Sequence, residues 1–453
     1  MSYAFTSEDR LDSFKMRLPT DQIVTINSKL KLWLAYIDWC NKINKTCELN
    51  NTRFIWSNYG RPTAPLYKEI RNAQILYWTS LSTDSEIGYG NFGYGEDEHR
   101  ARIAAAFTRD YKTLVAFENV IFVVSGKSAI NNCINLIQTI CPHKTCVLTR
   151  PYYTSHLGDP TLGLNLKQTL FVDTLSQRDL RLNAELLEKT LRGIDPQEVG
   201  AFIFCDPNNP MGYTLGEQEW RKITRVLLRY TNALVIVDEA YSEMAFREAH
   251  CSLLTVAPEE LKRQLVIIRS ATKALSAAGE RMAVILSFRE EHTTILAEYN
   301  CYSLFHAPIS AQFAYSYAIE KMTAADKLEL ANFYQTFVDK MEVLLRETDF
   351  NMKNELYKVD SSFYIVGDFG KLIGKPLDER LACEVFLGEK KTMENDLDIV
   401  YHLLFKYKVS FSPMSFFGVS PTLGWLRIVC SFKADEFDIL AQKLKEIQTD
   451  SLV

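Results

Sequence analysis

The sequence predicts an α/β protein: a large domain with a mostly parallel sheet covered by helices, plus a smaller α/β C-terminal domain. The first observation is a set of short, continuously apolar runs separated by helical segments, because strands buried on both faces of a parallel sheet lack polar alternation. These runs are VIFVVSG (120–126), CVLTR (146–150), AFIFCD (201–206), ALVIVDEA (233–240) and LVIIRS (265–270). The second observation is the length, since 453 residues exceed one ordinary hydrophobic core and favour two domains.

The two ends of the chain predict the remaining elements. Apolar residues at helical spacing across 21–44 indicate a helix, and the polar, turn-rich stretch 50–65 joins it to the main body. Beyond about Ala324 long amphipathic helices return, followed by two apolar strands, SFYIVGDF and WLRIVCSF. We therefore expect three parts, namely an N-terminal helical arm that belongs to the small domain (1–55), the large domain (56–323) and the small C-terminal domain (324–453).

Composition and charge exclude several classes of partner. The net charge is −5 with both signs interspersed, which argues against nucleic acid and anionic membrane as partners. The ten cysteines are scattered without a C-x-x-C pair, so we expect no metal site and a reduced, cytoplasmic setting. The N-terminus lacks the apolar core of a secretory signal, and no apolar stretch is long enough to span a bilayer.

A lysine follows the predicted strand LVIIRS at the edge of the sheet where ligands of open α/β folds bind. Burial of Lys273 in a cleft would lower its pKa and suit Schiff-base formation with an aldehyde, although a lysine by itself is more often a solvated surface residue. Ser270 and Arg281 flank it and could together bind a phosphate group.

Three further elements follow strands in the same way. The loop DPNNPMG (206–212) contains Asn209 and is either a simple turn or part of a site. Asp238, in DEAY, could keep a pyridine nitrogen protonated or could cap the next helix. SGKS (125–128) joins a strand to a helix whose N-terminal N–H groups could bind a phosphate.

Together these elements resemble one family, the fold-type I pyridoxal-phosphate (PLP) enzymes of the class I/II aminotransferase group. The order Ser-Gly, aromatic, Asn-Pro-x-Gly, Asp-x-x-Tyr, Ser-x-x-Lys with an arginine eight residues on, and a late arginine is that family's order. The resemblance runs from about Phe54 to the C-terminus and includes IWSNYGRPTAP, IGYGNFGYGEDEHRARIAAAF and VSFSPMSFFG. It implies PLP fold type I, PLP as cofactor, amino acid and 2-oxo acid substrates, and a homodimer.

The resemblance also implies roles for the matching residues. Lys273 would carry the cofactor and move the proton at the substrate Cα, and Asp238 would pair with the pyridinium nitrogen. The other cofactor contacts would be Asn209 and Tyr241 at the phenolic oxygen, Tyr153 against the ring, Ser125, Gly126, Lys127, Ser270 and Arg281 at the phosphate, and Tyr89 at the phosphate of the other subunit. The substrate would be bound by Arg427 at its α-carboxylate, together with Gly60 and Asn209.

Departures from the family pattern leave the subgroup open. Asp206 stands where the family commonly has Asn, Ala283 where Gly is usual, and Lys127 where a small residue is commoner. Residues 1–50 and 346–392 match no part of the pattern.

The sequence indicates a preferred class of substrate and a preferred reaction, and it leaves alternatives to both open. The stretch 299–308 lacks the second arginine of dicarboxylate-specific relatives and contains Tyr302 and Phe305. These favour an apolar or aromatic side chain, although the same aromatics could pack in a core or a dimer interface. We expect an aminotransferase. The alternatives are a PLP-dependent lyase or an enzyme resembling aminocyclopropane-carboxylate synthases, and, from another class, a catalytically silent PLP-binding regulatory or interaction protein.

Overall fold

The computed structural model describes residues 26–158, 166, 168–385 and 390–452. Its strands, in chain order, are β1 (Ile55–Trp56), β2 (Val120–Val123), β3 (Thr145–Arg150), β4 (Thr169–Asp173), β5 (Val199–Cys205), β6 (Leu234–Asp238), β7 (Leu265–Ser270), β8 (Ala283–Ser287), β9 (Tyr364–Asp368), β10 (Val409–Ser410), β11 (Ser412–Pro413) and β12 (Trp425–Val429).

Fifteen α-helices are described in the same ranges. They are α1 (Ile26–Leu49), α2 (Lys68–Ser80), α3 (Asp97–Tyr111), α4 (Gly126–Ile140), α5 (Ala184–Thr190), α6 (Glu217–Leu227), α7 (Leu253–Val256), α8 (Glu259–Lys262), α9 (Ala271–Ala274), α10 (Glu290–Leu304), α11 (Ile309–Lys321), α12 (Ala324–Glu347), α13 (Glu379–Glu384), α14 (Asp396–His402) and α15 (Ala434–Ser451). The helix expected over 21–44 is α1, and residues 21–25 lie outside the described part.

The large sheet has seven strands in the order β2-β8-β7-β6-β5-β3-β4. Strands β3 to β7 pair in parallel, and only β8 runs against its neighbours β7 and β2. All five apolar runs form strands, which confirms the predicted mostly parallel sheet. Two strands that the apolar runs did not reveal, β4 at the edge and the antiparallel β8, complete it.

Two hydrophobic layers cover the large sheet because successive side chains of a strand point to opposite faces. Phe202 and Phe204 of β5 enter the layer that contains Phe107 and Trp220. Ile203, between them, enters the layer on the other face, built largely from α4. A strand covered on both faces has to be apolar throughout, and every residue of β5 is buried.

A smaller body contains the three-stranded antiparallel sheet β11-β12-β9 and the parallel pair β1-β10. Tyr36 and Cys40 of α1 share its hydrophobic cluster with Ile428 of β12 and Leu440 of α15. The N-terminal helix therefore packs with the C-terminal part of the chain. The boundaries at residues 55 and 323 stay a prediction.

The topology gathers chain ends at one edge of the large sheet. Strand β2 is antiparallel to β8, and β8 is antiparallel to β7, so β2 runs in the same direction as the parallel strands. The carboxyl ends of β2, β5, β6 and β7 therefore face one side. Within the described ranges, no helix combines the length and the apolar character that crossing a membrane requires.

Candidate active site

A cavity of about 540 Å³ lies at the carboxyl edge of the large sheet, and the small sheet and α1 close it from the other side. Twelve of the thirteen predicted site residues line it: Gly60, Ser125, Gly126, Lys127, Tyr153, Asn209, Asp238, Tyr241, Ser270, Lys273, Arg281 and Arg427. Tyr89 is the exception. The structure thus brings together residues that are separated by up to several hundred positions in the sequence.

Lys273 lies in α9, the short helix that follows β7, and its ammonium donates to the carbonyl of Gly60. Burial lowers the pKa of Lys273 to about 7. The positive charges of Arg427 and Arg281 also lower this pKa, whereas the negative charge of Asp238 raises it. A Cβ atom at position 60 would collide with the hydroxyl of Tyr364 and lie 3.1 Å from the lysine nitrogen. A side chain at position 60 would therefore require Tyr364 or Lys273 to move.

Asp238 ends β6 and has a partner that the sequence did not reveal. Its carboxylate lies 3.0 Å from Nε2 of His156, which is itself buried, and accepts a hydrogen bond from the N–H of Ala240 at 3.2 Å. A buried carboxylate is costly unless it is paired, so His156 stabilises Asp238 in a position that faces the cavity.

Arg427 lies on β12 and enters the cavity from the small sheet. Its Nη1 donates to Oδ1 of Asn209 at 2.8 Å, and its Nη2 donates to the carbonyl of Asn58 at 2.8 Å and to the hydroxyl of Ser412 at 3.2 Å. Its Nε is buried and has no hydrogen-bond partner within the described ranges. The Oδ1 atom of Asn58 is likewise buried and has no hydrogen-bond partner among the described residues. Buried polar atoms without partners mark a place where a polar ligand would be favoured.

Tyr364, on β9, is a second site residue that the sequence did not reveal. Its hydroxyl lies 2.7 Å from the hydroxyl of Tyr241. The centroid of its ring is 4.5 Å from Cζ of Arg427, and the ring of Phe417 lies at the same distance from that atom. Two aromatic rings thus fix the guanidinium.

A polar region forms where α4 begins. Ser125 caps this helix and accepts a hydrogen bond from the N–H of Ser128 at 3.1 Å. Gly126 adjoins Ser270, since a Cβ on the glycine would lie 3.7 Å from the serine Cβ. The exposed Arg281 has a left-handed backbone with φ of 54° and also lines the cavity. N–H groups at a helix start, hydroxyls and a guanidinium together suit a phosphate group.

An aromatic wall borders the cavity on the side of α1. The Trp33 ring meets Tyr59 and Phe416 edge-on, with centroids 6.0 and 5.5 Å away, and Leu34 lies beside it. Trp33 belongs to the N-terminal segment that matched no family pattern.

Tyr89 lies on the surface, 79% exposed, and does not border the cavity of its own chain. Its ring is 6.2 Å from that of Phe92 and 5.9 Å from that of Phe305. Tyr302, close to this group in sequence, is 90% exposed, and Phe305 is 57% exposed. Tyr302 and Phe305 therefore pack in no core of this chain and do not line its cavity.

A buried charge network lies behind the cavity. His250 lies 3.4 Å from the carboxylate of Asp206 and 3.6 Å from that of Glu239. Burial opposes a charge on His250, but the two carboxylates outweigh it and raise its pKa to about 9. Asp206 also accepts hydrogen bonds from the N–H of Leu215 and the indole of Trp220. The aspartate at position 206, a departure from the family pattern, thus has a charged partner.

Known proteins that are similar to this chain are aminotransferases. A family model described as aminotransferase class I and II matches residues 60–444. A probable aspartate/prephenate aminotransferase of Rickettsia felis is 22% identical over 73% of this chain and 75% of its own. A probable N-acetyl-LL-diaminopimelate aminotransferase of Bacillus subtilis is 28% identical over 40% of this chain, but the match spans only 44% of that protein.

Solved structures show the fold. An aspartate aminotransferase from Rhizobium meliloti superposes with a TM-score of 0.76 at 17% identity, covering 95% of this chain and 99% of that one. An aromatic aminotransferase from Pyrococcus horikoshii gives a TM-score of 0.72 at 16% identity, covering 88% and 96%.

Proposed function

The chain belongs to the aminotransferase class I and II family, whose members depend on pyridoxal phosphate, and we propose that Lys273 is the catalytic lysine of a transaminase for apolar or aromatic α-amino acids. The observation that carries the proposal is one cavity that combines a lysine with a pKa lowered to about 7, the carboxylate of Asp238 and the buried guanidinium of Arg427.

The residues of the cavity fit PLP by their chemistry. The start of α4, with Ser125 and Gly126, together with Ser270 and Arg281, would hold the phosphate. Asp238, fixed by its contact with His156, would hold the ring nitrogen in its protonated form. Asn209 and Tyr241 would contact the phenolic oxygen, Tyr153 would lie against the ring, and Lys127 would complete the phosphate site. Bound PLP would supply an aldehyde that reacts with amino groups and a ring that accepts electrons from Cα.

Lys273 has the properties of a group that moves a proton. With a pKa of about 7, a large fraction of its amine is neutral at physiological pH and can accept the proton of the substrate Cα. The carbonyl of Gly60 accepts a hydrogen bond from the ammonium and orients it.

Arg427 would bind the substrate α-carboxylate. Its hydrogen bonds to Asn209 and Asn58 and the rings of Tyr364 and Phe417 hold the guanidinium in one orientation. The unpartnered Nε supplies a buried donor for a carboxylate oxygen. A planar fork of donors matches a planar carboxylate better than an ammonium would.

The side-chain preference rests on the aromatic wall. Trp33, Tyr59 and Phe416 offer apolar surface beside Arg427. Both arginines among the residues that line the cavity, Arg281 and Arg427, already have proposed partners. A second carboxylate on the substrate would therefore find no arginine in the described cavity, which disfavours aspartate and glutamate.

A homodimer would complete the site. The exposed aromatic surface around Tyr89, Phe92 and Phe305 is the kind of patch that a partner subunit covers. In such a dimer Tyr89 would reach the phosphate in the partner's cavity. The scattered cysteines support a cytoplasmic setting.

Transamination is favoured over the alternatives. The relatives named above are aminotransferases, whereas neither elimination, ring closure nor a silent binding role has support from them. The direct test is to load the purified protein with PLP and follow its absorption spectrum with single amino acids. Phenylalanine and leucine should convert the cofactor to its amino form faster than aspartate, with release of the matching 2-oxo acid. Release of ammonia without transfer of the amino group would contradict transamination.

A further inference from the structure

We propose that Tyr364 is a positioning residue whose hydroxyl donates to the hydroxyl of Tyr241, so that the proton of Tyr241 points into the cavity. The inference rests on the proposed function, in which Tyr241 donates to the phenolic oxygen of PLP. It adds a residue from the small sheet to the control of that hydrogen bond.

The placement of Tyr364 links the two sheets. It lies on β9, which pairs antiparallel with β12, the strand of Arg427. Tyr364 and Tyr241 are both buried, and 2.7 Å separates their hydroxyl oxygens. The hydroxyl of Tyr364 also limits the space at Gly60, the residue that accepts from Lys273. Tyr364 therefore contacts the surroundings of the lysine, the arginine and Tyr241 at once.

The direction of the bond between the two hydroxyls follows from the neighbouring charges. The guanidinium of Arg427 lies over the ring of Tyr364, and a positive charge makes a phenol a better donor. The negative charge of the Asp238 carboxylate raises the pKa of Tyr241 and makes that phenol a weaker donor. Burial raises the pKa of both tyrosines, that of Tyr364 to about 12 against the pull of Arg427, and that of Tyr241 well above its usual value.

One hydrogen bond between two hydroxyls uses one proton and leaves the other available. If Tyr364 donates, the free proton belongs to Tyr241 and can stabilise an anionic oxygen in the cavity. A hydrogen-bond donor to an anionic oxygen stabilises the anion and lowers the pKa of the group that ionises to give it. Loss of the donor therefore raises that pKa. If Tyr241 donated instead, removal of the Tyr364 hydroxyl would free the proton of Tyr241 and lower that pKa. The sign of the change therefore reports the direction of the bond.

The experiment is a pH titration of the visible absorption of the PLP-loaded protein, without substrate. Tyr241→Phe should raise the midpoint by about one pH unit and Tyr364→Phe by roughly half a unit, because the first loses the hydrogen bond and the second loses its orientation. The double variant should shift no further than Tyr241→Phe alone. Tyr407→Phe is the matched control, since that hydroxyl donates to the carboxylate of Asp450 at 2.7 Å outside the cavity and its loss should leave the midpoint unchanged.

The variant Tyr364→Phe keeps the ring against Arg427, so its folding and its carboxylate contact should persist. An unchanged or lowered midpoint in Tyr364→Phe would overturn the inference, as would additive shifts in the double variant. A protein that acquires no visible absorption with PLP would overturn the proposed function itself. A normal spectrum with an unresponsive Tyr364→Phe would overturn only the inference.

Discussion

Replacing Arg427 by alanine should lower kcat/KM for α-amino acids and leave attachment of the cofactor intact. The hydrogen bonds that the structure shows for the guanidinium go to Asn209, Asn58 and Ser412, and among the described residues it forms no ion pair with a carboxylate. The variant therefore breaks no salt bridge between the small and large sheets. The proposed contacts to the cofactor phosphate and ring nitrogen come from other residues.

The magnitude follows from the burial of Arg427, which is 5% exposed. Loss of a buried, charge-assisted contact of this kind costs about 2–5 kcal/mol. That corresponds to a fall in kcat/KM of roughly thirty-fold to a few thousand-fold. Arg427→Lys keeps the charge but loses the planar fork and the contact with two aromatic rings, so its activity should lie between those of the alanine variant and the wild type.

The assay compares L-phenylalanine with 2-phenylethylamine, which has the same ring but no carboxylate, in single-turnover reactions of the loaded protein. Arg427→Ala should slow the amino acid far more than the amine. Arg247→Ala provides the control, because Arg247 pairs with Asp339 and Glu342 outside the cavity and should affect both compounds equally. Equal losses for both compounds in Arg427→Ala would refute the carboxylate role.

Two further predictions concern stability and assembly. Because the neighbouring Asp206 and Glu239 raise the pKa of His250 from 6.5 to about 9, its protonation stabilises the fold fully below pH 6.5, and this stabilisation is lost as the pH rises through 9. Urea unfolding should show that the free energy of unfolding falls by on the order of 3 kcal/mol across this pH window. The variant His250→Gln should show little of this fall. An equal dependence of the unfolding free energy on pH in both proteins would contradict the network. Mixed dimers of Tyr89→Arg and Lys273→Ala chains should recover activity that neither variant has alone, since one of the two sites would then be intact. Activity of a strictly monomeric protein would contradict the shared site.

The sequence predicted the central strands because their physical signature is local. A strand such as β5, buried on both faces, has to be apolar at every position, and its run of residues shows this directly. The edge strand β4 is only partly buried and mixes polar with apolar residues, so no continuous run marks it. The apolar β8 pairs antiparallel with the preceding strand β7 and with β2, which lies far earlier in the chain, so no local pattern marks its place between them.

In the site, residues next to strands could be located from the sequence, whereas residues that depend on distant contacts could not. Lys273 and Asn209 follow strands and Asp238 ends one, so their places at one sheet edge could be inferred from the sequence. His156 and Tyr364 could not be found in this way, because their partners Asp238 and Tyr241 lie 82 and 123 residues away and no local pattern marks the pairs.

Trp33 illustrates a third case. The helical spacing predicted α1 but not which of its side chains would face the cavity. That depends on how the helix packs against the C-terminal part of the chain, through residues such as Tyr36 and Leu440. Specific packing of this kind is decided by the folded structure as a whole.

The central claim is that Lys273 carries PLP, and the most direct measurement is chemical. The loaded protein is reduced with borohydride, which makes the linkage permanent, and is then digested and mapped by mass spectrometry. The structure predicts a single labelled peptide containing Lys273, and no label in Lys273→Ala. A label on another lysine of the wild-type protein, or retention of the label in the variant, would contradict the assignment.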